Sequence, residues 1–325
     1  MKTLPLLLKR EYWEHRGGFF WTPIWITGVL LIFTVLGIIS AEVFRSNAHV
    51  HVGISLDDLR NHISANDMIQ AGNALDMIQL VFGAIACVGL FFVLFFYLLG
   101  ALYDDRRDRS VLFWKSLPVS DTATVVSKAL AAILVAPLIA FAVATIAYFA
   151  FLILVTLWAG AHGLNALPAI MAAHPLGMFA RFMLTVPLNA LWALPAVGWL
   201  LFWSSWVRSK PFLWAVLIPL IAVIINAWLG QLGAPHFDGD FRLATVLARL
   251  LFSIMPGSYL GAPGAGVRGS HISWKLEDDH VVSSLDPSRL YGLMAEPNLW
   301  IGAIAGLALI AAAIWFRQRR IETST

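Results

Sequence analysis

The chain has 325 residues, of which 59% are hydrophobic and only 13% are charged, and its single cysteine is Cys87. Soluble domains carry about a quarter charged residues, so this composition excludes an ordinary soluble globular protein. It also excludes a disordered chain and a disulfide-stabilised secreted domain, because apolar residues dominate in long blocks and one cysteine cannot form an internal bridge. We therefore predict an all-α, polytopic membrane protein.

Residues 1–19 are predicted to form a cytoplasmic amphipathic helix that lies in the membrane interface. Its apolar side chains recur along one face, at Leu4, Leu7, Leu8 and Tyr12. The Gly17-Gly18 pair then allows the chain to turn into the first span. The alternative is that residues 1–19 are only a basic segment that sets the orientation of the protein in the membrane.

The rest of the chain, residues 20–325, is predicted to form one transmembrane domain. Crossing the hydrocarbon core takes about 20 apolar residues per helix. Uncharged stretches predict six spans, at about 20–41, 77–103, 122–158, 176–206, 211–231 and 297–316. The uncharged stretch 129–180 is too long for one helix, and glycines and prolines between Ala159 and Pro175 indicate a turn within it. Runs such as Val88 to Phe96 do not alternate, which argues against a β-barrel.

The distribution of basic residues predicts the orientation. With the N-terminus inside, the cytoplasmic segments hold 14 of the 22 Lys and Arg residues and carry a net charge of +7, and the outer segments carry −4. Basic residues favour the cytoplasmic side, so both termini are expected there, in a multi-pass protein of the plasma membrane, the inner membrane in bacteria. The outer loops are then 42–76, 159–175 and 232–296. Because the overall charge of +3 reflects topology, we expect the lipid bilayer, and no nucleic acid, as a partner.

The loop 104–121, between the second and third spans, is the most distinctive segment. Its six consecutive charged residues are Asp104, Asp105, Arg106, Arg107, Asp108 and Arg109, and they precede Leu112, Phe113, Trp114 and Lys115. Pro118 ends any helix here, and Ser120 is placed to cap the third span. A short helix with apolar residues between charges suits the groove of a protein partner. Burial of these aromatic rings among lipid headgroups is the alternative.

The N-terminal helix, the six spans and this loop, which runs into Ser116-Leu117-Pro118-Val119-Ser120, resemble the membrane subunits of type 2 ABC transporters. In that family the loop carries a coupling helix that docks on a cytoplasmic ATPase. The resemblance implies that the ten loop residues named above are the ATPase-coupling residues. It also implies two ATPase subunits, which bind ATP and Mg²⁺, and a second permease copy or homologue that completes a dimer. The Gly-Thr pair common in the family is replaced here by Arg109-Ser110.

The chain has no G-x-x-x-x-G-K-[ST] phosphate loop, so we expect no enzymatic activity and no cofactor on it. The predicted function is that of an ABC permease subunit that moves a hydrophobic or amphiphilic substrate outward by alternating access. One alternative is a membrane-embedded enzyme that uses outer residues such as His49 and His51. Another is a scaffold or sensor subunit that binds an ATPase without transport. The substrate-binding residues are not predicted, and no metal site is expected.

Three further features of the spans and outer loops are interpreted as structural. Asn189 and Asn226 are assigned to hydrogen bonds between helices, and Gly302 with Gly306 to close helix packing. The stretch from Leu243 to Gly257 is amphipathic and then contains Pro and Gly. It forms either a helix that dips back into the outer leaflet, as in the resembled family, or a surface helix.

Overall fold

The computed structural model describes residues 3–48, 65–108, 120–233, 243–261 and 291–322, and within these ranges it contains helices and no strand. In chain order the helices are α1 (Thr3–Glu14), α2 (Thr22–Ala48), α3 (Ala65–Ala101), α4 (Tyr103–Arg107), α5 (Asp121–Leu130), α6 (Ala136–Ala161), α7 (Leu167–Ala172), α8 (Pro175–Trp206), α9 (Pro211–Gln231), α10 (Leu243–Phe252) and α11 (Pro297–Glu322). Two π-helical segments, Gly17–Trp21 and Ala131–Val135, lead into α2 and α6.

Six helical segments in these ranges are long and apolar enough to cross a membrane, as predicted. They are Gly17–Phe44, Asp67–Arg107, Asp121–Ala161, Leu167–Trp206, Pro211–Gln231 and Pro297–Arg319. The predicted turn between the third and fourth spans is also present. There α6 ends at Ala161, Gly163 adopts φ +70°, and α8 begins at Pro175.

The predicted outer loops contain more helix than expected. Within the predicted loop 42–76, α2 continues to Ala48 and α3 begins at Ala65. Asp67 and Asp76 end the apolar stretch, but a helix continues past its apolar part wherever water or a neighbouring helix can accommodate its polar side chains. The loop 159–175 likewise contains α7, whereas α10, in the loop 232–296, forms where the amphipathic stretch from Leu243 predicts a helix.

Helix α8 is the most deeply buried span, and its most extensive contact is with α11. A Cβ atom added to Gly306 would lie 2.6 Å from the backbone nitrogen of Pro195, so only glycine permits this approach. In lipid no hydrophobic force draws helices together, and small residues favour close van der Waals contact between them. Gly306 therefore has the predicted packing role, whereas Gly302 faces the side chain of Arg249.

Helix α1 packs against the bundle, chiefly against α5. Its buried residues are Leu7, from the predicted apolar face, and Glu11, a carboxylate that the predicted face did not include. The helix is thus fixed by protein contacts, and its location in the membrane interface stays a prediction.

The two ends of the bundle are distinguished by their contacts. Helix α1, helix α4, the start of α5 and the end of α11 meet at one end, called here the α4 end. Glu42 and His162 pair at the opposite end. Helix α1 and the end of α11 therefore lie at the same end of the bundle, as an even number of spans requires. That this end is cytoplasmic rests on the charge distribution alone.

Candidate functional site

A buried group of charged side chains joins four helices at the α4 end. We name it the charge cluster, and its members are Glu11 of α1, Asp105 of α4, Asp121 and Lys128 of α5, and Arg317 of α11. Lys128, Glu11 and Arg317 are between 1% and 4% exposed. Ionised groups are buried in proteins only when they are paired and hydrogen-bonded, so the geometry of these pairs determines whether the helices stay together.

Lys128 and Glu11 form the inner half of the cluster. The ammonium Nζ of Lys128 lies 3.3 Å from Oε1 of Glu11 and 3.8 Å from Oδ1 of Asp105. The hydroxyl of Tyr97, on α3, donates a hydrogen bond of 2.9 Å to Oε2 of Glu11. The carboxylate that fixes α1 is thus bound by side chains of both α3 and α5.

Arg317 and Asp105 form the outer half. The guanidinium donates from Nη1 to Oδ2 of Asp105 at 3.1 Å and from Nε to Oδ1 of Asp121 at 2.9 Å. Asp105 therefore contacts both cations of the cluster, one on α5 and one on α11. It connects the loop between the second and third spans to the bundle.

The start of α5 positions Asp121 and Lys128. Oγ of Ser120 accepts a hydrogen bond of 3.2 Å from the backbone N–H of Ala123, so Ser120 is the predicted N-cap of the third span. Asp121 follows in the first turn, where a carboxylate is stabilised by the helix dipole. Lys128 lies two turns later on the buried face of the same helix.

Arg106 connects α4 to α8 independently of the charge cluster. Its guanidinium donates to the carbonyl oxygens of Ser204 and Val207, at the C-terminal end of α8 where such oxygens lack helical partners. In return, Oγ of Ser204 accepts hydrogen bonds of 3.0 Å from the backbone N–H groups of Leu102 and Tyr103. Helix α4 is therefore bonded to the end of α8 through both side-chain and backbone groups.

The predicted coupling residues thus fall into three groups. Asp105 and Arg106 turn towards the bundle and make the contacts described above. Asp104, Arg107 and Asp108 are exposed at its surface. Predicted coupling residues outside the described ranges are Arg109, Leu112, Phe113, Trp114 and Lys115.

The sequence interpretation missed the charge cluster apart from Asp105. Glu11 follows Leu7 and Leu8 by one turn, and this continuation of the apolar face by a carboxylate was the signal that a buried ion pair is present. Lys128 lies within the predicted third span, near its inner end, and the sequence does not show which residue it pairs with. Nothing in the local sequence distinguishes Arg317 from the other basic residues of the C-terminal flank.

The cluster contains three carboxylates and two cations, so with all five groups ionised its net charge is −1. Removal of one partner from a buried ion pair typically costs about 3–5 kcal/mol, because the other charge is left without compensation. The pairing therefore favours one arrangement of α1, α4, α5 and α11 over any arrangement that separates them.

The opposite end carries two pairs of histidine and carboxylate. Nε2 of His162 lies 3.1 Å from Glu42, and the backbone N–H of His174 donates to Asp76 at 2.9 Å. Within the described ranges no three side chains of His, Cys, Asp or Glu are grouped to hold a metal ion. His49 and His51, which the enzyme alternative invokes, lie outside these ranges.

Comparison with protein-family models, with curated proteins and with solved structures finds no match for this chain.

Proposed function

We propose that this chain is the membrane-spanning subunit of an ATP-driven transporter of the ABC type, whose ATPase is a separate cytoplasmic protein. The observation that carries the proposal is the double contact of Asp105 with Lys128 and Arg317. A loop that only joined two spans would need no buried ion pairs. A loop that receives force from a partner needs rigid connections to the helices that must move.

The connections of α4 define a route for that force. Asp105 connects α4 to α5 and α11, and Arg106 connects it to α8. Through Lys128 and Glu11 the same contacts extend to α1. A displacement of α4 therefore acts on α1, α5, α8 and α11 together, which is the collective response that alternating access requires.

In the proposed mechanism ATP binding closes two ATPase subunits, which press on loop 104–121 of each of two paired permease chains. The exposed Asp104, Arg107 and Asp108, with the aromatic pair Phe113 and Trp114, would contact the ATPase. ATP and Mg²⁺ would be bound by that partner, and this chain would supply the pathway. Export of a hydrophobic or amphiphilic substrate follows from the family resemblance.

The docking claim is tested by co-purification. The tagged chain is isolated in mild detergent from its own membranes, and Mg²⁺-dependent ATP hydrolysis in the eluate is measured per mole of chain. We expect hydrolysis with the unmodified chain and its loss with Phe113→Ala/Trp114→Ala. The matched control is Trp25→Ala/Phe33→Ala, because these α2 side chains are 70% and 66% exposed and lie outside the loop.

Two results would contradict the proposal. One is an eluate without ATPase activity from the unmodified chain. The other is equal activity from the loop variant and the control variant, which would show that the ATPase binds elsewhere. A scaffold that binds an ATPase without transport would pass this test, and only an assay of substrate transport in vesicles separates it from a transporter.

A further inference from the structure

Three aromatic rings and one guanidinium meet at the α4 end, where α8 and α11 end. We name this group the aromatic patch, and its members are Trp206, Trp315, Phe316 and Arg319. The rings of Trp206 and Phe316 are stacked with their centroids 5.9 Å apart, which joins α8 to α11. Trp315 meets Phe316 edge-on at 4.8 Å, and Cζ of Arg319 lies 4.3 Å from the ring centroid of Trp315. Side-chain contacts therefore bring the four residues together.

The aromatic patch is open at the surface of the bundle. Trp206 is 40% exposed and Trp315 is 45% exposed. Arg319 is also exposed. A ligand can therefore reach the rings and the guanidinium from outside, and no internal cavity is needed to hold it.

The ends of two apolar spans fix the level of the patch relative to a bilayer. The span Leu167–Trp206 ends at one of its indoles, and the span Pro297–Arg319 ends at its guanidinium. Tryptophan is enriched where the hydrocarbon core meets the headgroups, because the ring is apolar and its N–H is polar. Arg319 follows Trp315 by one helical turn, towards the polar side. The patch therefore lies at headgroup level, with its positive charge beyond the indole.

Two arginines at the end of α11 have opposite environments. Arg317 is 4% exposed and is bound to Asp105 and Asp121 of the charge cluster. Among the described side chains Arg319 contacts the indole of Trp315 and pairs with no carboxylate. Arg208, exposed in the connection 207–210 between α8 and α9, adds a second positive charge two residues after Trp206. The patch thus attracts an anion that the described part of the chain does not supply.

The position of Arg319 over an indole favours binding of a phosphate group. A guanidinium over a ring face is held by the cation–π attraction and still has N–H donors at the edge of its own plane. Those donors match the two anionic oxygens of a phosphodiester, which accept two parallel hydrogen bonds. Basic side chains between helix ends at headgroup level are typical of sites for anionic lipid headgroups.

We propose that the aromatic patch binds an anionic phospholipid, with the phosphodiester on Arg319 and the glycerol and upper acyl chains against Trp315 and Trp206. The level of the patch and its uncompensated charge favour a lipid over a protein partner. Because Arg317 lies two residues before Arg319, a bound lipid would also restrain the end of α11 that contacts Asp105. The site does not depend on the proposed function, because its occupation requires no ATPase.

The test uses the purified, delipidated full-length chain in detergent, titrated with dioleoyl phosphatidylglycerol or with dioleoyl phosphatidylcholine. Native mass spectrometry gives the affinity for the first bound lipid. We expect phosphatidylglycerol to bind more tightly, since the choline cation of the other lipid is repelled by Arg319. Arg319→Gln should weaken the binding of phosphatidylglycerol about tenfold, the value of one hydrogen bond to a charged group.

The matched control is Lys9→Gln. Lys9 is exposed on α1, so this variant removes one positive charge from the same end of the bundle without altering the patch. It should change the affinity for phosphatidylglycerol by less than about twofold. Arg319→Lys keeps the charge but loses the planar pair of donors, so its affinity should lie between those of the unmodified chain and Arg319→Gln.

Trp315→Leu provides a second variant if Arg319→Gln does not fold. It keeps the positive charge and an apolar side chain but removes the ring under the guanidinium, so binding of phosphatidylglycerol should weaken about threefold.

Three results would overturn the proposal. The first is equal affinity of the unmodified chain for the two lipids. The second is an equal effect of Lys9→Gln and Arg319→Gln, or undiminished binding by Trp315→Leu where Arg319→Gln does not fold. The third is unchanged lipid affinity of Arg319→Gln together with loss of a co-purifying protein, which would assign the patch to a protein partner.

Discussion

Lys128→Met gives the most quantitative test of the charge cluster. The ammonium of Lys128 is 2% exposed, and among the described residues no other helix supplies a cation to Glu11. The other partner of Glu11 on a neighbouring helix is the neutral hydroxyl of Tyr97. Asp105 would still be paired with Arg317, so Glu11 is the carboxylate that would be left without a cation. Breaking such a buried pair costs about 3–5 kcal/mol, which corresponds to a fall of roughly 6–10 °C in the midpoint of thermal unfolding.

The assay is tryptophan fluorescence of the purified protein in detergent during heating. Lys9→Met is the matched control, because Lys9 is exposed on α1, and it should change stability by less than about 0.5 kcal/mol. Glu11→Gln combined with Lys128→Met should recover most of the lost stability, since it removes both charges of the pair and leaves the net charge of the cluster unchanged. The charge exchange Glu11→Lys/Lys128→Glu should not recover it, because residue 128 would then place a carboxylate beside Asp105. Equal midpoints for Lys128→Met and Lys9→Met, or strictly additive effects in the double variant, would refute the pairing.

Two further predictions concern helix ends and helix packing. Ser120→Ala removes the hydroxyl that caps α5 and should lower the free energy of unfolding by about 1 kcal/mol. Thr122 is exposed two residues later, and Thr122→Ala should lower it by less than half of that. A similar midpoint of thermal unfolding for both variants would contradict the capping role of Ser120. Gly306→Ala places a methyl group against the backbone of Pro195 and should cost about 1–3 kcal/mol through overpacking. At Gly37 an added Cβ meets nothing within 4 Å, so Gly37→Ala should be neutral or stabilising, and an equally harmless Gly306→Ala would contradict the close contact.

The spans could be predicted from the sequence because the bilayer imposes a simple rule. A charged residue near the membrane centre costs about 3 kcal/mol on the insertion scale, so uncharged stretches mark the helices directly. The Ser120 cap and the turn after Ala161 could also be predicted, since each depends on only a few adjacent residues. The ends of the helices were less predictable. The helix that contains the second span begins at Ala65, well before its apolar stretch, because helical hydrogen bonds continue after hydrophobicity ends.

The charge cluster and the aromatic patch could not be predicted in the same way, because their partners are distant in sequence. Tyr97 lies 86 residues from Glu11, and Arg317 lies 212 residues from Asp105. The assignment of Asn189 to a hydrogen bond between helices is not confirmed for its side-chain oxygen, which has no partner in the described part of the chain. Periodicity identifies the face on which a residue lies but not what the facing helix contributes.

The central claim is that α4 transmits force from a cytoplasmic ATPase to the far end of the bundle through Asp105. Its most direct test is a distance measurement between spin labels at Leu167 and Leu232, exposed residues at the opposite end, in a Cys87→Ser chain purified with its ATPase. We predict that trapping with ATP and vanadate shifts this distance. In Asp105→Asn the shift should be lost while ATP is still hydrolysed. This variant is expected to fold, because Glu11 and Asp121 remain to neutralise Lys128 and Arg317. An unchanged distance in the unmodified complex, or the same shift in Asp105→Asn, would contradict the account.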